Sequence, residues 1–286
     1  MVKQKKQKKQ KKRRMIKIGF LRYFNEENTI LACLKSHNYC DYIFCFTHLP
    51  RNGVKIDKST EIIENYIKEN NLQDKIFLIK YNEVVYPPAS KEVLNKEVTL
   101  PNLTAGFYNF GWNTIKSFIK ENKLDLKNLV VFKIDGDIID FSNGEIYKNP
   151  QYEEILLKDI VGQKGGFTIV AKDGRFFLHH NKFGERNDYF CIPGRLLMNS
   201  YFIHNGRYEL LLINDKFSIG KISSDYRYCH FIDYSKIEFR HENGYEDKKS
   251  YNLNVIDKDS EIGMIINTKI IPMLQETESK YKNYTL

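Results

Sequence analysis

The sequence predicts an α/β fold built on a mostly parallel β-sheet. Apolar segments of strand length alternate with amphipathic segments of helix length along residues 15–121. This order is typical of β-α-β units, whose right-handed crossovers give parallel strands. The segment 129–134, LVVFKI, has one charged residue among its six, which indicates a strand buried on both faces of the sheet. A chain of 286 residues with 42% hydrophobic content is large enough for one such domain.

Local patterns define the elements of the first half. The segment 15–22 is a predicted strand, and Asn25 is a candidate N-cap for the helix after it, with Glu26 and Glu27 in the first turn. A second predicted strand, 39–47, is followed by a loop that starts at His48. The next predicted elements are a helix that begins at Ser59 or Thr60, a strand at 75–80 and a helix at 104–121.

Two features of residues 81–121 bear on function. The segment 81–102 contains Pro87, Pro88 and Pro101, and a loop this long in a compact domain is usually functional or mobile. The helix after it has an apolar row, which predicts its buried face, and a polar row, which predicts a face in solvent. The alternative for the polar row is that its N-terminal end reaches a ligand cleft. The apolar row is Tyr108, Trp112, Ile115 and Ile119, and the polar row is Asn109, Asn113, Lys116 and Lys120.

The second half has a mixed, irregular pattern. Lys172-Asp173-Gly174 between two short apolar segments predicts a hairpin. Ser142-Asn143-Gly144 and Asn205-Gly206 are further predicted turns, and 262–281 is expected to be helical in part, with a break near Pro272. The predicted organisation is a basic tail at 1–14, one half of the domain at 15–140 and a second half at 141–286.

The positive charge of the chain lies in its first residues. Lys and Arg exceed Asp and Glu by 45 − 36 = 9, and residues 1–14 carry seven Lys, two Arg and no acid. The remainder is therefore neutral, which argues against a nucleic-acid-binding body. The tail itself has three interpretations, which are binding to anionic lipid, binding to nucleic acid, and an added segment of no function.

Cysteine usage and hydropathy point to a cytoplasmic protein. The chain has no Cys-x-x-Cys pair, no signal-peptide pattern and no run of 18 apolar residues. The five cysteines are therefore expected to be reduced thiols.

The strongest chemical signal is Asp135-Gly136-Asp137 at the end of the apolar segment. Two carboxylates at positions i and i+2 leave a strand on the same side, and Gly136 lets the backbone approach a ligand. A divalent cation carrying a diphosphate would compensate their repulsion, because Mg²⁺ and Mn²⁺ prefer oxygen ligands. Asp-Gly-Asp is also ordinary turn chemistry, so a plain turn is the alternative.

Four short motifs follow one another along residues 15–240. They are the loop Arg22-Tyr23-Phe24-Asn25-Glu26-Glu27, a long segment with Pro, Lys and Tyr, the strand end Ile134-Asp135-Gly136-Asp137, and Cys229-His230-Phe231. The order of these motifs and of the predicted strands and helices resembles the GT-A fold of nucleotide-sugar glycosyltransferases. Within that fold it is similar to bacterial β-1,4-N-acetylgalactosaminyltransferases that extend lipooligosaccharide.

The resemblance implies a role for each matching residue. Asp137 would ligate Mn²⁺ or Mg²⁺ on the sugar-nucleotide diphosphate, Asp135 would share the metal or hold the ribose, and His230 would be a third ligand. The metal would act as a Lewis acid and stabilise the leaving UDP. The loop from Arg22 to Asn25 would face the nucleotide, with the base next to Tyr23 and the backbone after Arg22. The alternative is that Asn25 only caps the helix and Tyr23 only packs.

The resemblance leaves the base contact and the catalytic base less defined. Many relatives carry Asp after the second strand, where this chain has Thr47-His48, so a backbone contact or His48 is expected to replace it. Transfer with inversion needs a carboxylate base on the acceptor side. Asp188 is the first candidate and Glu185 the second, and the alternative for both is a solvated loop.

The implied function is metal-dependent transfer of a sugar, with an N-acetylhexosamine favoured, from a UDP-sugar to a bacterial surface glycan or lipooligosaccharide. A polybasic tail would hold such a cytoplasmic enzyme at the inner membrane, where lipid-linked acceptors lie. Two rival interpretations use the same carboxylates. A haloacid dehalogenase-type phosphatase usually has its motif near the start of the domain, and a nucleotidyltransferase usually has a Gly-rich basic loop after its first strand. A non-enzymatic nucleic-acid binder that acts through the tail is a third.

Overall fold

The computed structural model describes residues 14–87, 90–142, 162–180, 189–206, 208–217, 221–236 and 253–286. Its first half alternates strands and helices, which confirms the predicted α/β class. The strands are β1 (Ile16–Arg22), β2 (Tyr42–Leu49), β3 (Ile76–Val84), β4 (Leu129–Asp135) and β5 (Ile138–Asp140), and the helices are α1 (Ile30–Ser36), α2 (Ser59–Glu69), α3 (Lys91–Leu94) and α4 (Thr104–Glu121).

The second half is mostly β-structure. Its strands are β6 (Gly162–Lys172), β7 (Arg175–His180), β8 (Phe190–Pro193), β9 (Ser200–Asn205), β10 (Tyr208–Ile213), β11 (Lys216–Phe217), β12 (Lys221–Asp233) and β13 (Asn254–Val255). A short helix covers Gly194–Leu197, and the C-terminal segment is helical at Glu261–Ile265, π-helical at Ile266–Ile270 and helical again at Ile271–Thr277.

Two turn predictions for this half are confirmed. Strands β6 and β7 pair antiparallel around Asp173 and Gly174, whose φ angles are 49° and 79°. Gly206, with a φ of 64°, lies between the paired strands β9 and β10. The break predicted near Pro272 is wrong, because the segment stays helical from Glu261 to Thr277 and Pro272 follows its π-helical part.

The main sheet places the ends of β1, β2 and β4 side by side. Among the described residues, ten strands form this sheet, and β3, β2, β1 and β4 are consecutive and parallel. Strand β8 pairs antiparallel with β4, and β6, β7 and β13 follow. Strand β12 pairs parallel with β6 and antiparallel with β5. In this register Arg22 at the end of β1 lies opposite Asp135 at the end of β4.

The apolar residues of the parallel strands pack in two layers. One layer holds α4, with Trp112 and Ile115 against Phe20 and Val131. The other holds α1 and α2 and includes the neighbouring strand residues Val130 and Phe132. All seven residues of β4 are buried, which confirms the strand predicted from its apolar pattern. Helix α4 has its predicted bounds, and the four residues of its predicted apolar row are buried.

Several predicted boundaries and faces are wrong. Strand β2 begins at Tyr42 instead of residue 39 and includes His48, and β3 runs to Val84, because these two parallel strands stay paired beyond Thr47. The segment 81–102 therefore contains the end of β3, helix α3 and a 3₁₀ turn at Leu100–Asn102. On α4, Asn109 and Lys116 do not face only solvent, since both bond to main-chain atoms of β9.

The five cysteines are free and buried, as the reduced-thiol prediction requires. Within the described ranges, no helix has the length and apolar character needed to cross a membrane.

Candidate functional site

The loop after β1 is tied to the loop before α2. The amide of Asn25 donates to the carbonyl of Lys55 over 2.9 Å and accepts from the backbone N–H of Asp57 over 3.1 Å. Asn25 has a φ of 55° and is not a helix cap, so that prediction is wrong, and α1 begins at Ile30 after Thr29. A short amide side chain suits both a cap and the left-handed conformation, and here the contacts to the second loop decide between them.

Asp135 forms an ion cluster with two cations, of which Lys133 is buried and Arg22 is partly exposed. Its carboxylate accepts from Arg22 Nε over 2.7 Å and from Arg22 Nη2 over 3.1 Å, and Lys133 Nζ lies 2.9 Å from Oδ1. Burial alone would raise the pKa of the Asp135 carboxyl, but the charges of Arg22 and Lys133 outweigh it and hold the pKa below its usual value. Asp135 is therefore ionised and strongly held.

Gly136 brings the loop after β1 against the turn after β4. A Cβ at residue 136 would lie 2.9 Å from Cγ of Glu26 and 3.0 Å from Cβ of Tyr23, so the close approach requires glycine. The backbone N–H of Phe231 donates to the carbonyl of Asp137 over 2.8 Å, which attaches β12 to the same turn. Residues from β1, β4 and β12 thus converge at Asp-Gly-Asp.

Asp137 shares a lysine with Glu26. Lys236 Nζ lies 3.3 Å from Asp137 Oδ2 and also binds Glu26 Oε1. His230 Nε2 lies 3.3 Å from the same Asp137 oxygen. The side chains of Glu26 and Asp137 are each 9% exposed, and that of Lys236 is 15% exposed. This cluster is separate from the Arg22–Asp135–Lys133 cluster, although one turn connects the two.

The cationic side chains compete with any metal ion at this turn. Within the described residues, no group of three His, Cys, Asp or Glu side chains is arranged to hold a metal ion. Two unit positive charges about 4 Å apart near a protein surface repel by roughly 4 kcal/mol, and a divalent ion beside Lys236 doubles this to about 8 kcal/mol. The arrangement does not fit a preformed divalent site. Metal binding by Asp135, Asp137 and His230 stays a prediction.

The residues expected next to a nucleobase lie at the ends of β1 and β2. The Tyr23 side chain is packed, since the residue is 4% exposed and its hydroxyl lies 3.0 Å from Thr60 Oγ1. Burial raises its pKa to about 12. Thr47 is half-buried in β2 opposite Lys80. The ring of His48 stacks on Phe24, with centroids 4.3 Å apart and planes 9° apart.

His48 is neutral with a defined tautomer. Burial lowers its pKa to about 4, and its Nδ1 lies 2.8 Å from the carbonyl oxygen of Leu49. A carbonyl oxygen only accepts, so Nδ1 carries the proton and Nε2 is an acceptor. The Phe24–His48 pair thus combines two stacked rings with one acceptor nitrogen at the edge of the sheet where Asp135 lies.

A cavity of about 220 Å³ lies next to the Glu26–Lys236 pair. Most of its lining residues are polar or charged, and they come from the loop after β1, the loop before α2 and the residues at and after the end of β12. The lining includes Asn25, Glu26, Asn28, Lys55, Asp233 and Lys236. Amide, carboxylate and ammonium groups of this kind can bond to a hydroxylated ligand.

Some predicted residues fall outside the described part of the chain. The candidate bases Asp188 and Glu185, the predicted turn residues Asn143 and Gly144, and tail residues 1–13 are among these. Arg14, the last residue assigned to the tail, pairs with Asp41 at 2.5 Å.

The sequence interpretation missed three residues of the site. They are Glu26 as a partner of Asp137, Lys133 and Lys236. A lysine inside an apolar strand was the available signal for Lys133, because a buried lysine requires an acidic partner. Lys236 has no local signal, since it joins the site only through the pairing of β12 with β5 and β6.

Comparison with known proteins finds no family model that matches the chain and no curated protein that matches it significantly.

Proposed function

We propose that this protein is a glycosyltransferase of the GT-A type that transfers a sugar from a UDP-sugar to a glycan or lipid-linked oligosaccharide. The observation that carries the proposal is the position of Asp135-Gly136-Asp137 at the carboxyl end of β4, beside the ends of β1 and β2. Open α/β sheets bind ligands at the carboxyl ends of their strands. A buried acidic turn with Arg22, Lys133 and Lys236 around it suits the mixed charges of a sugar nucleotide.

The Phe24–His48 pair supports the nucleotide part of this proposal. Bases stack on aromatic side chains with little preference for sequence, and the N3–H of uracil is a donor that the Nε2 acceptor of His48 matches. The polar cavity next to Glu26 and Lys236 supports a sugar, whose hydroxyls can donate to carboxylates and accept from amide N–H groups. The N-acetylhexosamine preference comes from the resemblance described above.

The proposed reaction is a single displacement at the anomeric carbon. The acceptor hydroxyl oxygen forms a bond to that carbon, and the bond from the carbon to the phosphate oxygen breaks with its electron pair on UDP. The acceptor proton passes to a carboxylate base, with Asp188 as first candidate and Glu185 as second. Cationic side chains next to the turn stabilise the negative charge that develops on the departing diphosphate.

The test is calorimetric titration of UDP into the wild-type protein, once with Mn²⁺ and once with EDTA. We expect saturable binding under at least one condition and at least tenfold weaker binding in Asp137→Ala. The control is Asp74→Ala, an exposed carboxylate just before the amino end of β3, which should bind as the wild type does. No UDP binding by the wild type under either condition would refute the proposed function.

A further inference from the structure

The position of Lys236 is relevant to how the site binds a diphosphate. Its ammonium lies between the carboxylates of Glu26 and Asp137, where the resemblance to glycosyltransferases would place a divalent cation. Strand β12 fixes this position, because the backbone N–H of Phe231 donates to the carbonyl of Asp137. Lys236 follows the end of β12 by three residues.

Each carboxylate of the two clusters already has a cationic side chain beside it. Glu26, Asp135 and Asp137 contribute three negative charges, and Arg22, Lys133 and Lys236 contribute three positive ones. A divalent cation at Asp137 would have to displace the ammonium or lie beside it. Displacement of the ammonium would remove the contact between Lys236 and Glu26. Binding beside the ammonium would bring two positive charges close together.

The ammonium of Lys236 also has an N–H donor for a phosphate oxygen. An ammonium has three N–H donors, and within the described residues its side-chain contacts use two, one to Glu26 and one to Asp137. The third donor is available to a phosphate oxygen. Since Glu26 and Lys236 also line the cavity proposed for the sugar, the diphosphate joined to that sugar would lie within reach of this ammonium.

We propose that the ammonium of Lys236 takes the place of the divalent cation next to Asp137, so that this chain binds a nucleoside diphosphate without a metal. The inference rests on the proposed function and deepens it, since it assigns the counter-charge of the diphosphate to a side chain. Lys236 then acts as a binding residue for the leaving group. Glu26 and Asp137 act as positioning residues that hold its ammonium.

The first test titrates Mn²⁺ alone and reads free Mn²⁺ by electron paramagnetic resonance. We expect no stoichiometric binding by the wild type and binding of one ion by Lys236→Ala, which removes the ammonium from between the carboxylates of Glu26 and Asp137. Lys280→Ala is the matched control, because Lys280 pairs with the buried Asp233. It should bind no Mn²⁺. Stoichiometric binding by the wild type that Lys236→Ala leaves unchanged would overturn the proposal.

The second test measures UDP affinity. The wild type should bind UDP with the same Kd, within about twofold, in Mn²⁺ and in EDTA. Lys236→Ala should bind at least tenfold more weakly in EDTA and recover in Mn²⁺, whereas Lys236→Arg, which keeps the charge, should still bind in EDTA. Circular dichroism identifies a variant that fails to fold, and the wild-type comparison of Mn²⁺ with EDTA needs no variant. Wild-type binding only in Mn²⁺ would overturn the proposal.

The failure of this inference is distinguishable from failure of the proposed function. Absence of UDP binding by the wild type in both conditions refutes the glycosyltransferase proposal and the diphosphate role of Lys236 with it. UDP binding that requires Mn²⁺ refutes only the role of Lys236. The Mn²⁺ titration contains no nucleotide, so it measures the competition between lysine and metal in either case.

Discussion

At the residue scale, the ion cluster of Asp135 is the most tightly constrained part of the site. Asp135 and Lys133 are 6% and 2% exposed, so neither can be solvated if the other is removed. A buried pair of this kind contributes little net stability relative to an apolar pair, but loss of one partner leaves an uncompensated charge in the interior.

Asp135→Ala should therefore destabilise the protein by about 3–5 kcal/mol, because it leaves Lys133 buried without its acidic partner. Urea denaturation followed by circular dichroism measures this loss. The control is Glu276→Ala, which removes an exposed pair between Lys35 and Glu276, 2.8 Å apart with the glutamate side chain 68% exposed. It should cost about 1 kcal/mol or less. Equal losses in the two variants would contradict the prediction.

The sequence identified the acids of the site but not their partners. Asp135 and Asp137 are recognisable because they end a continuous apolar strand. The contact of Arg22 with Asp135 depends on the adjacency of β1 and β4, which local pattern does not specify. Asn25 was misassigned because its side chain suits a cap and a left-handed turn equally well, and only the position of residues 55–57 distinguishes them.

At the scale of elements, α4 attaches β9 to the main sheet. The Asn109 side chain donates to the carbonyl of Phe202 and accepts from its backbone N–H, both over 2.7 Å. Trp112 Nε1 donates to Ser200 Oγ over 2.8 Å. The Asn109 side chain thus satisfies both backbone groups of Phe202, as a paired strand would. The polar row of α4 therefore has a structural role near its N-terminal end.

Asn109→Ala should destabilise the protein by roughly 1–3 kcal/mol for each backbone group that loses its partner. Thermal and urea denaturation both measure the change. Asn113→Ala is the matched control, since Asn113 lies one turn further along α4 and is exposed. Alanine favours helix by a few tenths of a kcal/mol over asparagine, so this control should be neutral or slightly stabilising. A neutral Asn109→Ala would show that the two bonds contribute nothing.

The bounds of elements were predicted correctly where the apolar residues have a strong periodicity. They were predicted wrongly where the pairing of two strands continues beyond the apolar segment. The bounds of α4 follow from apolar residues spaced three and four apart along an uninterrupted segment. Strands β2 and β3 extend beyond their apolar segments because each provides the other with main-chain partners up to Leu49 and Val84. Polar residues such as His48 are compatible with a strand that already has a neighbour.

At the scale of the whole molecule, charge is divided between a basic N-terminus and a neutral remainder. We propose that residues 1–14 attach the protein to an anionic membrane surface, since each basic residue near such a surface contributes about 1 kcal/mol. The neutral remainder has no comparable excess of charge.

Deletion of residues 2–13 should abolish co-sedimentation with vesicles that contain anionic phospholipid and leave the UDP affinity unchanged. Binding of the full chain should also weaken with salt, because exposed charges are screened over about 10 Å at 0.1 M ionic strength. Neutral phosphatidylcholine vesicles are the control and should bind neither form. Vesicle binding that survives the deletion would assign membrane attachment to another part of the chain.

The spacing of the site along the chain has a consequence during synthesis. Arg22 and Asp135 are 113 residues apart, and Lys236 follows Asp137 by 99 residues. At translation rates of roughly 5–20 residues per second, the ribosome adds the residues between β1 and β4 in about 6–20 s. During that time one edge of β1 lacks its neighbour, and unpaired strand edges template aggregation. Nascent chains that stop before Leu129 should therefore depend on chaperones, whereas the completed sheet protects β1 on both sides.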